Sequence, residues 1–411
     1  MSKKEVSIRR PSRLGEDSDQ KPRELLEENG PAVKTAAMKI PSGENLLNNL
    51  VHIAEQFESQ GRVTEIREFG NGNINDTYLI TSDSNDERHF VLQRINMHVF
   101  KQPGLIMQNM RTFTEHMRKR AREEGHHWEM PRVLKTLHGQ DFYIDSDGNF
   151  WRAISYVSAA RSFDTIRDLN HAREVGHALG TFQHLISDLP IDRLADTLEG
   201  FHIMPRYLQQ YDQTFSNNGH KSGAEVNFGV RFIEARREWA PVLERARERG
   251  QLQMRPVHGD PKVNNVMIEE STGRAISLVD LDTVKPGLIH YDIGDCMRSG
   301  CNPMGEETEQ WEAVHFEPEI GQAILTGYLT QARHFLNEAD YDYLFDSVRL
   351  MTFELGVRFF TDYLAGNVYF KVKHPEHNLL RALVQFKLTE SIEAHESDIR
   401  NMIQSMVSRP V

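Results

Sequence analysis

Residues 257–282 read VHGDPKVNNVMIEESTGRAISLVDLD, and the spacing of polar groups in this stretch decides how the rest of the chain is read. It contains H-x-D-x-K-x-x-N, formed by His258, Asp260, Lys262 and Asn265, followed further on by Asp280 and Asp282. The segment between has a hairpin pattern. Val266, Met267 and Ile268 make one short apolar strand, Ile276, Leu278 and Val279 another, with Ser271, Thr272 and Gly273 as the turn. An antiparallel hairpin returns the chain to its start, so Asn265 and Asp280 are expected to be neighbours. Two oxygen-bearing side chains facing one point suit Mg²⁺, which takes a few protein oxygens and completes its shell with water and phosphates. Asp260, on the loop just upstream, is placed to accept a proton from an acceptor hydroxyl. Together these features describe a phosphoryl-transfer centre.

The 411 residues, 39% hydrophobic and 26% charged, are enough for two or three domains of ordinary globular composition. Lys and Arg number 48 against 60 Asp and Glu, and the net charge of -12 argues against a nucleic-acid or anionic-membrane partner. Cys296 and Cys301 are too few for a disulfide framework or a zinc site and fit a reducing compartment. No apolar run approaches the ~20 residues of a membrane span, and no secretory h-region is read at the start. The expectation is a soluble cytoplasmic protein with access to ATP, a monomer or weak dimer.

Residues 1–40, polar and without periodicity, are expected to be a disordered extension. Ser42 is read as the cap of a helix carrying Leu46, Leu47, Leu50, Val51, Ala54 and Phe57, ended by Gly61. Short strands follow: VTEIREF, NDTYLIT and HFVLQRI, a pattern that resembles the antiparallel sheet of a kinase N-lobe. Between the first two, Gly70, Asn71, Gly72, Asn73 and Asn75 favour a turn whose backbone N–H groups can approach a phosphate, although such a turn is by default only a hairpin connection. A helix over 104–124 precedes three more strands, MPRVLKTL, DFYID and FWRAISYV. Tyr156 and Val157 end the last of these, and the link SAARS then reads either as a hinge facing an adenine edge or as an ordinary interdomain linker. The boundary is the same in both cases: an N-terminal nucleotide lobe over 41–157 and a catalytic and acceptor lobe over 158–411. The second lobe is expected to be mainly helical, over 164–189, 206–216, 228–249, 317–335, 341–365 and 376–407.

With these motifs in place, the chain resembles the aminoglycoside phosphotransferase and choline kinase family over roughly residues 45–405. Within it the chain is most similar to the N-acetylhexosamine 1-kinases, through GNGNINDTYLI, HGDPKVNNVM, VDLDTVKPG, YDIGD and VRFFTDYLAGNVYFKVKHPEHNL. The resemblance implies an α+β, bilobal protein-kinase-like fold, with a small antiparallel-sheet N-lobe and a larger helical C-lobe. It implies Asp260 as catalytic base, Lys262 near the transferring phosphoryl group, and Asn265 and Asp280 holding Mg²⁺ against the phosphates of ATP. Asp282 is open to two roles, a second metal ligand or an outer-shell acceptor. For the acceptor the resemblance points to Arg358 and Tyr369; His258 is read as locking the loop backbone, and Asp292 and Asp295 as bracing the loop rather than ligating.

Two departures qualify it. Gln93 stands in FVLQRIN where kinases of this fold carry a phosphate-binding lysine, and Asn73 stands where a sugar-contacting histidine occurs in the hexosamine kinases. Three readings follow: a kinase phosphorylating the anomeric hydroxyl of an N-acetylhexosamine; the same mechanism on a choline-like alcohol, aminoglycoside or homoserine; and a nucleotide-binding pseudokinase, motivated by Gln93.

Overall fold

The computed structural model describes residues 43–58, 61–70, 74–84, 88–218 and 221–407. The expected N-terminal extension, the Ser42 cap, Asn71, Gly72 and Asn73 lie outside them.

An opening helix, α1 (Gly43–Ala54), covers one face of an antiparallel sheet. The strands are β1 (Val63–Glu68), β2 (Asp76–Ser82) and β3 (His89–Ile95); after helix α2 (Pro103–Glu124) come β4 (Val133–Leu134), β5 (Tyr143–Ile144) and β6 (Phe150–Ser155). The order is β1-β2-β3-β6-β4, with β5 also on β6. Alternation sends Ile80, Phe90, Leu92, Trp151 and Ala153 into one apolar cluster with Leu50, Ile53 and Phe57 of the α1 segment. Register sets Gln93 opposite both Thr77 and Arg152.

The chain then crosses through β7 (Ala160–Arg161) into a helical lobe. Helices α3 (Leu169–Ile186), α4 (Met204–Asn218), α5 (Ala224–Glu234) and α6 (Val242–Glu248) lead to β8 (Arg255–Val257). The expected hairpin forms as β9 (Val266–Glu269) and β10 (Ala275–Leu278), and β11 (Lys285–Gly287) then pairs with β8. Helices α7 (Ile289–Gly300), α8 (Pro318–Ala332), α9 (Glu338–Asp342), α10 (Leu344–Ala365), α11 (His377–Ala394) and α12 (Glu396–Val407) complete it.

Three boundaries differ from expectation. The helix expected over 228–249 is two, separated by turns that end at Pro241, whose missing N–H cannot continue a hydrogen-bond ladder. The helix expected over 376–407 breaks at His395. Helix α7 was not anticipated, because YDIGDCMRSG mixes two aspartates and two glycines with few apolar residues, yet eleven of its residues are buried.

Helices α3 and α8 cross with almost no side-chain spacing. A Cβ on Gly176 would sit 1.9 Å from the Ile324 carbonyl oxygen, and one on Gly327 1.9 Å from that of Arg173. The close approach lets Tyr328 of α8 donate to Gln183 of α3 at 2.7 Å, and Gln183 in turn donates to Asp292 of α7 at 3.0 Å. Backbone contact between α3 and α8 thereby reaches Asp292 of α7.

Candidate active site

The loop between β8 and β9 is held by its own first residues. Asp292 accepts the backbone N–H groups of His258 and Gly259 at 2.9 and 2.8 Å. Complete burial lowers the His258 pKa, so the ring is neutral. Its partners assign the tautomer: Nε2–H donates to the Val279 carbonyl at 3.1 Å, and Nδ1 accepts the Asp260 N–H at 3.2 Å. His258 and Asp292 thus lock backbone, in the bracing role read from the sequence. Gly259 has φ +87°, and a Cβ there would lie 2.8 Å from the Thr283 carbonyl oxygen, so the turn requires glycine.

Asp260 and Asn265 are brought together by this turn: the Asn265 amide donates to the Asp260 carbonyl at 2.7 Å, leaving Oδ1 as its other polar atom. The hairpin closes as expected, with Val279 N–H donating to the Asn265 carbonyl at 2.9 Å, so the chain returns to Asn265 one residue before Asp280. Asp280 adopts left-handed backbone (φ 64°), a conformation aspartate enters more readily than most residues. Its carboxyl pKa is pushed up to about 6, by the enclosing protein first and then by the charges of Asp282 and Asp260, with Lys262 and Arg152 opposing. Lys262 lies 3.0 Å from Asp260 Oδ2; against the desolvation that would lower it, Asp260, Asp280 and Glu306 hold its pKa above the usual lysine range. A carboxylate crowded by other carboxylates beside an amide oxygen is a hard-oxygen donor set that a divalent cation such as Mg²⁺ relieves and fits. Asn265 and Asp280 are the residues that could hold it.

Asp282 is differently placed. Its carboxylate is 3% exposed, lies 2.5 Å from the Arg152 guanidinium and accepts from Asn75 Nδ2 at 2.6 Å. Oδ2 is hydrogen-bonded to the sheet lobe, while Oδ1 meets Arg152 as an ion pair without a hydrogen bond, so both roles read for Asp282 stand. Arg152 also answers the charge missing at Gln93. Gln93 Oε1 accepts from Arg152 Nε and a terminal nitrogen at 2.9 and 2.7 Å, while its amide donates to Thr77 at 3.0 Å. The buried cation stands one strand over from the expected lysine position and is turned to Asp282. Arg152 was not singled out from the sequence as a site residue, and Asn75 was read only as part of the phosphate turn; the available signal for Arg152 was an arginine inside FWRAIS, a strand buried over its first four residues.

On the nucleotide side, Gly70 follows β1 with φ +78°. Phe69 beside it packs edge-on against Tyr156 at 5.9 Å, as does His89. Val157 is buried with Ala160, Met267 and Ile276, an apolar floor between the lobes next to the link. Arg358 of α10, read from the sequence as an acceptor contact, has a side chain 13% exposed, with the rings of Phe201, Tyr207 and Phe370 centred 5.1, 5.1 and 5.5 Å from its guanidinium carbon. Burial opposes its charge, but Tyr207, Tyr369, Glu354 and Asp260 hold its pKa above the ordinary arginine range, so the cation persists within the field of Asp260. Tyr369 is half-exposed, in a loop that Asp362 fastens by accepting the N–H groups of Val368, Tyr369 and Phe370 at 2.9, 2.8 and 3.0 Å. From the same loop Lys371 reaches the other lobe, donating to the Asn75 carbonyl at 3.1 Å and to Asp76 at 3.0 Å. Lys371 thereby joins this loop to the sheet lobe.

A cavity of about 310 Å³ opens behind the catalytic loop, lined by His202, Gly259, Thr283, Lys285 and Arg206 among others. It touches neither Asp260 nor Arg358, and Lys285 and Arg206 are already paired with Asp196 and Glu199, so it is a space behind the site rather than the site.

The architecture has counterparts among solved structures. An aminoglycoside phosphotransferase from Alicyclobacillus acidocaldarius matches with TM-score 0.58 and 13% identity, over 91% of this chain and 100% of that one. A microcompartment-associated aminopropanol kinase matches with TM-score 0.59 and 14% identity, over 86% of this chain and 98% of that one. A spectinomycin phosphotransferase, solved with ADP and spectinomycin, matches with TM-score 0.52 and 13% identity over 85% and 98%. At such identities the likeness is one of fold, the kinase-like α+β arrangement of a sheet lobe and a helical lobe. The sequence model described as "Phosphotransferase enzyme family" matches residues 65–336, from β1 to just past α8. That span holds the catalytic loop, the hairpin and the Gln93–Arg152–Asp282 connection, while Arg358 and Tyr369 fall beyond it; by this match across more than half of its length, the chain belongs to the phosphotransferase enzyme family.

Proposed function

We propose that this small-molecule phosphotransferase transfers the γ-phosphoryl group of ATP, with Mg²⁺, to a hydroxyl of an uncharged, hydroxyl-rich acceptor, and that the acceptor is an N-acetylhexosamine phosphorylated at its anomeric oxygen. The observation that carries the acceptor class is Arg358. A guanidinium enclosed by three rings and within the field of Asp260 repels a quaternary ammonium or a polyamine, whereas its N–H groups suit sugar hydroxyls or an acetamido oxygen. Tyr369 contributes an apolar face with a polar tip.

In the mechanism, Asp260 accepts the proton of the acceptor hydroxyl as its oxygen attacks the γ-phosphorus. Lys262, 3.0 Å from Asp260, neutralises charge on the group in transfer. Asn265 and Asp280 would hold Mg²⁺, which when bound supplies charge neutralisation on the phosphates. Gly70 with its neighbours Asn71 and Gly72 would meet the phosphates through backbone N–H groups, and the Tyr156–Val157 link with its apolar floor would take the adenine ring.

The test is an acceptor panel with Mg-ATP, read by ADP release and product analysis. N-acetylglucosamine or N-acetylgalactosamine should yield an acid-labile 1-phosphate. Phosphorylation of choline, an aminoglycoside or homoserine with no sugar turnover would overturn the acceptor assignment, and nucleotide binding without turnover of any acceptor would favour the pseudokinase.

A further inference from the structure

The catalytic loop is anchored from the acceptor side by a residue that no sequence motif marked. His202 sits in the loop before α4, in left-handed backbone with φ 63°. Its side chain is 6% exposed, between the rings of Phe201 and Tyr291, whose centroids lie 3.8 and 5.2 Å away. The ring has two polar contacts: Nδ1 lies 2.8 Å from Glu354 Oε1, and Nε2 lies 2.7 Å from the Gly259 carbonyl oxygen. Both partners are acceptors, so a ring satisfying both must donate from both nitrogens and carries a positive charge. Burial opposes that charge, but the Glu354 carboxylate and the Gly259 carbonyl outweigh it, the Arg358 charge being a smaller opposing influence, and the His202 pKa is raised.

The position of these partners matters for the chemistry. Gly259 immediately precedes Asp260, and its carbonyl belongs to the peptide that carries the Asp260 N–H. Glu354 lies one helical turn before Arg358 on α10, with 4.0 Å between Oε1 and the guanidinium. Behind the loop, the cavity lined by His202, Gly259 and Thr283 means that packing alone does not back this peptide. Hydrogen bonds do: Thr283 donates to the His258 carbonyl at 2.8 Å, and His202 donates to the Gly259 carbonyl.

We propose that His202 is a positioning residue for phosphoryl transfer: held by Glu354, it fixes the Gly259–Asp260 peptide and so links the acceptor-side helix carrying Arg358 to the carboxylate of Asp260. The inference rests on the reading of Asp260 as catalytic base. It predicts that the link serves turnover rather than nucleotide binding, since the chain from Glu354 through His202 to Gly259 runs within the helical lobe.

The test compares wild type, His202→Gln, Glu354→Gln and the double variant in the full chain. In His202→Gln the amide can still donate to Gly259, but its oxygen then faces the Glu354 carboxylate. In the double variant the side-chain amide introduced at position 354 becomes a donor to that oxygen, and both contacts are restored without charge. His202→Gln should lower kcat about 100-fold, the scale of a small misplacement at a reacting centre, with the ATP KM within about twofold of wild type. The double variant should recover kcat at least about tenfold over His202→Gln, and amide hydrogen exchange over residues 257–265, accelerated in the single variant, should slow again. Wild-type kcat in His202→Gln, or a double variant no better than that single variant, would overturn the proposal. Should His202→Gln fail to fold, Glu354→Ala, which leaves the ring without its carboxylate partner, carries the same kcat-against-KM comparison, and unchanged kcat there overturns it. The exchange measurement needs no acceptor, so a failure of the acceptor assignment leaves it readable: unchanged protection of 257–265 in a folded His202→Gln protein rejects the link by itself.

Discussion

Asp260 is held by backbone contacts on either side, through His258, Asn265 and the Gly259 peptide, and few of these depend on its own carboxylate. Asp260→Asn should therefore fold, with a thermal transition close to wild type, while kcat falls about 10²–10⁴-fold, the range expected for loss of a positioned general base. Arg358→Ala should raise the acceptor KM roughly tenfold or more, as removal of charge-assisted hydrogen bonds does, and leave the ATP KM nearly unchanged; equal shifts in both would remove Arg358 from the acceptor site. Arg152 and Asp282 form the buried pair that ties the sheet lobe to the segment after β10, with side chains 1% and 3% exposed. Arg152→Met leaves a buried carboxylate unpaired and should cost roughly 3–5 kcal/mol in urea unfolding. Adding Asp282→Asn should return most of that loss, because the stranded charge is removed.

At the scale of elements, hydrophobic alternation and helical spacing identified the strands of the sheet lobe and most of the long helices, since burial of one face is a local sequence property. The β9–β10 hairpin was legible for the same reason, and with it the juxtaposition of Asn265 and Asp280. Helix α7 was not, because its burial comes from packing against α10, α8 and α3 on several sides and leaves few exposed positions to mark a polar face. The α3–α8 crossing was equally invisible: Gly176 and Gly327 look like helix-weakening residues until both backbones are placed together. Gly176→Ala or Gly327→Ala should destabilise the protein by about 1–3 kcal/mol or more, the cost of overpacking a close contact, as read by urea denaturation. Through Tyr328 and Gln183 the damage should extend to Asp292 and lower kcat as well.

The charge balance of the cleft belongs to the whole molecule, because Asp280 takes its surroundings from both lobes: Asp260, Asp282 and Lys262 from one, Arg152 from the other. Its pKa of about 6 makes the proton a competitor for Mg²⁺ in a mildly acidic range. Below that pH the apparent Mg²⁺ dissociation constant should rise about tenfold per pH unit, and above it this dependence should vanish. Calorimetric titration of the nucleotide-loaded protein with Mg²⁺ checks this, and a profile flat through the acidic range would exclude Asp280 as a ligand. No helix among the described residues is long and apolar enough to cross a membrane.

The chemistry that depends on short spacing was written in the chain itself. H-x-D-x-K-x-x-N, a hairpin and D-x-D are close in sequence, so turn geometry brings Asp260, Lys262, Asn265 and Asp280 together. What long separations hide emerged only once the chain was folded. That Gln93 hands its place to Arg152, that Asp282 pairs with this arginine, and that His202 joins Glu354 to Gly259 are contacts between residues 57 to 152 positions apart or set by strand register. Such pairings follow from how sheets align and helices cross, and the identity of each residue carries no local trace of its partner.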